Sequence, residues 1–89
     1  MQVNTTRLLS LEDTAGALGL KKTALHGRVD EGLFPTPIVL NSRVKRWPDG
    51  EVQRLVSAHA AGLDDTAIKA LVVRLHTDRA RAASALLAA

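Results

Sequence analysis

The chain of 89 residues has no cysteine, so no disulfide can staple it and a small apolar core must hold it together. The missing thiols also fit a reducing cytoplasm. No run of 18 apolar residues is present, and the start, MQVNTTRLLS, has neither a basic opening before an apolar block nor a cleavage site. A soluble protein that is not exported and has no membrane partner is expected. Thiol ligands are absent, and His26, His59 and His76 lack the close spacing and acidic companions of a metal site. There is no glycine-rich phosphate loop and no serine nucleophile motif. The acid pairs Asp30 with Glu31 and Asp64 with Asp65 read as helix-end charges rather than catalytic carboxylates. The expectation is a chain that is not an enzyme and uses no cofactor or metal.

What is present is positive charge, and its position says more than its amount. The formal net charge is +3, which favours an anionic partner. In GLKKTALHGRVDEGLFP, Lys21, Lys22, Thr23, His26 and Arg28 fall within eight positions, threaded between Leu20, Leu25 and Val29. A helix that only closed a core would keep a blander outer face.

Local signals set the order of elements. Ser10 can cap a helix over 11–18, with Asp13 as its capping-box partner and Leu11, Ala15 and Leu18 at helical spacing. Gly19 suits the left-handed residue that ends a helix, and a second apolar series, Leu20, Ala24, Leu25 and Val29, begins at once. Two short helices across a tight glycine turn predict a helix-turn-helix. Gly32 is a second helix stop, and Pro35 and Pro37 disfavour helix beyond it. Ile38–Leu40 then face Val44–Trp47 across the three turn formers Asn41, Ser42 and Arg43, which predicts a small hairpin. Pro48 and Asp49 start a third helix with the stripe Val52, Leu55, Val56 and His59, ending at Gly62. A fourth follows, capped by Asp64 or Asp65, with Ile68, Leu71, Val72, Leu75, Ala82 and Leu86 on one side.

The expected fold is mainly α with a small β-hairpin: a winged helix-turn-helix over residues 1–62 and a C-terminal helical extension over 63–89. The stretch from Arg7 to Val52 resembles the AlpA-type phage regulators and excisionases, small members of the MerR-like winged-helix group. The resemblance covers about half of the chain and rests on Glu31, Gly32, Phe34, Pro35 and Pro37, followed by Arg43, Trp47, Glu51 and Val52. It departs at Gly27, where the family commonly has a long polar side chain, and at Arg28, where it commonly has an apolar one. The resemblance implies a DNA-binding regulator or excisionase, acting in the cytoplasm on the nucleoid, with an integrase or the transcription machinery as protein partners.

The helix wheel supports a DNA contact independently. With Leu25 and Val29 inward, Thr23, Gly27 and Asp30 take the far side, and His26 and Arg28 its flanks. Lys21 and Lys22 fall nearer the inward stripe, but at the helix start their long side chains can reach out, and the positive dipole end favours a phosphate. Thr23 and His26 can exchange hydrogen bonds with base edges, and Arg28 can reach a phosphate or pair with an acid. Gly27 is costly within a helix, and either a close backbone approach to DNA or a weakly constrained exposed site would explain it. In the hairpin, strand alternation sends Arg43 and Lys45 to one face and Arg46 to the other, placing cations on a backbone or in a minor groove. Trp47 is expected to pack against Phe34 rather than stack on a base, and His59 to lie partly in the core.

Arg79 interrupts the stripe of the last helix, so burial is expected to stop near Leu75, with Arg74 and Arg81 on other faces. This helix is expected to pack on the domain or to self-associate with a second copy. The function expected from the whole is sequence-specific binding of double-stranded DNA, with a recognition helix in the major groove and a basic wing. A protein-assembly module, such as a winged-helix small terminase subunit, is the alternative.

Overall fold

The computed structural model describes residues 6–88. Along them run β1 (Leu8–Leu9), α1 (Leu11–Leu18), α2 (Lys22–Asp30), β2 (Ile38–Asn41), β3 (Val44–Pro48), α3 (Asp49–Ala60) and α4 (Asp65–Ala88). The result is a mainly helical small domain with a three-stranded antiparallel sheet and a long C-terminal helix, consistent with a winged-helix-like arrangement.

Helix ends follow the local chemistry of the sequence. Ser10 Oγ accepts the Asp13 N–H at 3.1 Å and caps α1. Among the described residues the reciprocal bond from the Asp13 carboxylate is absent, since a capping box needs the longer Glu or Gln at that place. Gly19 takes φ +66°, its N–H bonding Gly16 O while the Leu20 N–H bonds Ala15 O, the paired closure of a Schellman motif. The same two bonds recur after α2 at Gly32 and after α3 at Gly62. Asp64 is the residue that caps α4, its Oδ1 accepting the Ala67 N–H at 2.9 Å.

The second helix starts later than its leucine pattern suggests. Leu20 is drawn into the closure of α1, so Lys21 remains extended and helix begins at Lys22. The leucine serves the turn, not the helical stripe.

The sheet order is β1-β3-β2. Strand β1 is an addition to the expected hairpin: Leu8 pairs with Pro48 and Leu9 with Trp47. Its root is doubly tied, because the Asp49 N–H bonds Arg7 O at 2.8 Å and the Arg7 N–H bonds Asp49 Oδ1 at 3.2 Å. In the hairpin, Ile38 faces Arg46 and Val39 faces Lys45, but Asn41 faces Val44, with an irregularity between Val39 and Asn41. The turn is therefore two residues, Ser42 and Arg43, rather than three. Asn41 Oδ1 accepts the N–H groups of both Arg43 and Val44, at 3.0 and 3.1 Å, which holds the turn closed.

All four helices and β3 contribute to one core. Ala15, Leu25, Trp47, Val52, Leu55, Ala58, Ile68, Val72 and Leu75 are buried together with Leu33 and Phe34. Phe34 meets Trp47 edge to face, centroids 6.2 Å apart, and Trp47 Nε1 donates to the buried Pro35 carbonyl at 2.8 Å. On α3 the small Ala58 takes a buried place, whereas Val56 and His59 are half-buried. On α4 burial ends at Leu75, and Ala82 and Leu86 are exposed. One polar side chain is sealed in: Thr14 is fully buried, and its Oγ1 has no hydrogen-bond partner among the described residues.

Candidate nucleic-acid interface

The start of α2 is a cationic, uncapped helix end. Its first intrahelical bond runs from the Leu25 N–H to Lys21 O, so the N–H groups of Lys22, Thr23 and Ala24 precede the helical ladder. Lys21 supplies no side-chain cap. Lys21, Lys22 and Thr23 are exposed and line a shallow hollow with Gly16 and Leu20. These groups favour an anion, through N–H donors that have no partner among the described residues, the positive end of the helix and two ammonium groups. Glu12 lies on the same hollow and opposes them from the α1 side.

Further along α2, His26 is exposed and Leu25 fully buried, as the wheel requires. Arg28 differs from the free flank position expected of it. It is half-buried and lines a separate hollow with Leu18, Leu20 and His59. The structure therefore joins Lys21, Lys22 and Thr23 in one patch and places Arg28 in another. Gly27 is half-buried, yet a methyl group added there would meet nothing within 4 Å, so the fold itself does not require glycine.

The hairpin presents Arg43 in the turn and Lys45 on β3, both exposed, while Arg46 is half-buried and donates from Nη1 to the Lys45 carbonyl at 2.9 Å. Because Arg43 is a turn residue, strand alternation does not set its direction. Its place is set by the Asn41 turn instead.

Ion pairing separates two populations of cations. Among the described residues, Arg7 pairs with Asp49 at 3.7 Å, Arg54 with Asp78 at 4.0 Å and Arg79 with Glu51 at 2.6 Å. Lys21, Lys22, Arg28, Arg43, Lys45 and Arg46 enter no such pair. Lys69, Arg74 and Arg81 on α4 are likewise outside these pairs among the described residues, so the paired arginines tie elements together while every cation of α2, its cap and the hairpin is left without an acidic partner. Among the described residues no helix is long and apolar enough to cross a membrane, and no group of three or more His, Asp or Glu is placed to hold a metal ion.

Arg79 and Glu51 form the site that the sequence pattern concealed. Arg79 looks like a break in an apolar stripe, but its guanidinium is directed inward, with side-chain exposures of 21% and 11% for the two partners. The available signal was the stripe itself: Arg79 follows Leu75 at helical spacing on the packed side of α4.

Comparison of the chain with family models, with curated proteins and with solved structures gives no match.

Proposed function

We propose that the chain is a sequence-specific DNA-binding protein with a winged helix-turn-helix, of the phage or mobile-element type, acting as a transcriptional regulator or an excisionase. The observation that carries this reading is the placement of charge: all six cations of α2, its cap and the hairpin have no acidic partner among the described residues, and Lys21 and Lys22 stand at an uncapped helix start. In this reading α2 is the recognition helix. Lys21, Lys22 and the N–H groups beside them hold a phosphate, and Thr23 and His26 reach base edges in the major groove. The hairpin is the wing, whose Arg43, Lys45 and Arg46 follow the backbone or enter a minor groove. Arg28 plays a smaller part than Lys22, since it is half-buried beside Leu18, Leu20 and His59. The resemblance of residues 7–52 to AlpA-type proteins supports the same class and its partners, an integrase or the transcription machinery.

The test is titration of the purified protein with a duplex covering its own upstream region, against a scrambled duplex, at two salt concentrations. Preference for the native duplex, weakened by salt, is expected. Equal or absent binding to both would overturn the sequence-specific reading.

A second reading, protein assembly through α4, is favoured by one observation. Beyond Arg79 every described residue of α4 is exposed, including Leu86 at 78% and Leu87 at 88%. A second copy seated there would give a dimer able to occupy two half-sites, and sedimentation of the chain with and without Leu86→Glu and Leu87→Glu tests it.

A further inference from the structure

Arg79 touches both roots of the hairpin. Its Nε donates to Glu51 Oε2 at 2.7 Å and its Nη2 to Glu51 Oε1 at 2.6 Å, a two-pronged grip on the first turn of α3, just past the end of β3. The same Nη2 donates to the Thr36 carbonyl at 2.7 Å, and Nη1 lies 3.4 Å from Thr36 Oγ1, two residues before β2 begins. One turn earlier on α4, His76 Nε2 accepts the Thr36 N–H at 3.1 Å. Thus α4 clasps Thr36 through its N–H, its carbonyl and its hydroxyl.

Stability alone does not call for such a device. A partly buried ion pair is no better than well-packed apolar groups of similar volume for holding a helix in place. What the guanidinium adds is direction, because its planar fork grips a carboxylate with two parallel bonds while it also reaches a carbonyl, a geometry that the point charge of lysine does not fix and methionine lacks. Thr36 and Glu51 flank the strands and turn that carry Arg43, Lys45 and Arg46.

We propose that Arg79, seconded by His76, is a positioning residue for the hairpin: α4 fixes the wing from behind and so sets the DNA affinity of residues it never touches. The proposal rests on the DNA-binding reading above. It makes the long helix a part of the DNA-binding apparatus rather than an addition to it.

The test uses the full chain with Arg79→Met, Arg43→Ala, the double variant and a control, Ile68→Val, which loosens α4 at its far end. Two quantities are read well below the melting temperature of every variant: affinity for the upstream duplex and amide hydrogen exchange across residues 38–48. Arg79→Met is expected to speed exchange in the hairpin and to weaken binding roughly tenfold, equivalent to about 1.4 kcal/mol. In the Arg43→Ala background the same change should matter less than about twofold, because a wing without its turn cation gains little from being held. Ile68→Val should leave both quantities near wild type. Unchanged hairpin exchange, full affinity, or losses that simply add would overturn the positioning role while leaving DNA binding intact. A wild-type chain that binds no duplex would instead overturn the DNA-binding reading, and this proposal with it.

Discussion

Thr14→Val should stabilise the protein. Thr14 is fully buried on α1, and its hydroxyl oxygen has no partner among the described residues, while its backbone N–H is already bonded to Ser10 O at 2.9 Å. A buried polar group without a partner costs about 1–3 kcal/mol through lost hydration. Valine has nearly the same shape and a similar helix propensity, so exchanging hydroxyl for methyl removes that penalty without a cavity or a backbone change. Taking the lower end of the range, the gain is about 1 kcal/mol, or a rise in melting temperature of about 4–8 °C for a domain of this size. Thermal unfolding followed by circular dichroism measures it directly, with a urea titration to check that the slope, and hence the surface exposed on unfolding, is unchanged. A fall of more than about 2 °C would refute the reasoning, since it would mean that the hydroxyl makes a bond worth more than its burial costs.

Lys22→Ala and Arg43→Ala are each expected to weaken DNA binding and to lower the slope of log affinity against log salt by up to about one unit; slopes equal to wild type would remove both residues from the phosphate contacts. Trp47→Phe should destabilise by about 2–4 kcal/mol, because it opens a cavity in the core and leaves the buried Pro35 carbonyl without its donor, and a midpoint shift in urea reports it. Gly27→Ala should stabilise α2 by about 0.5–1 kcal/mol, since the added methyl meets nothing within 4 Å. A lower melting temperature for that variant would show that the helix needs glycine for a reason other than space.

Features written in neighbouring residues were legible from the sequence. Ser10, Gly19, Gly32, Gly62 and Asp64 act on hydrogen bonds within a few positions, so the helix ends fall where those residues stand. The hairpin was legible too, although the side chain of Asn41 tightens its turn by one residue. Long-range pairing was not. Strand β1 is two residues long and exists only because β3 lies beside it, and nothing in Leu8 and Leu9 alone distinguishes strand from loop. Leu20 kept a helical period and so moved the expected start of α2 forward by two residues. On the candidate interface, Lys21, Lys22, Thr23 and His26 are exposed as expected. Arg28 is half-buried and shares a hollow with His59 of α3, a neighbour that a single helix wheel does not include. Arg79 was legible as an interruption and not as a partner, because Glu51 and Thr36 lie far from it in sequence.

The clasp on Thr36 has a consequence for the order of events during synthesis. Thr36 and Arg79 are 43 positions apart, so the hairpin leaves the ribosome well before the helix that secures it. Until then, β3 has only its neighbours β1 and β2, and the segment before β2 lacks the carbonyl and N–H partners that α4 provides. The segment before β2 gains those partners only once α4 docks. A protein shortened before Arg79 would keep every cation of α2 and the hairpin and lose the side chain that joins Thr36 to Glu51.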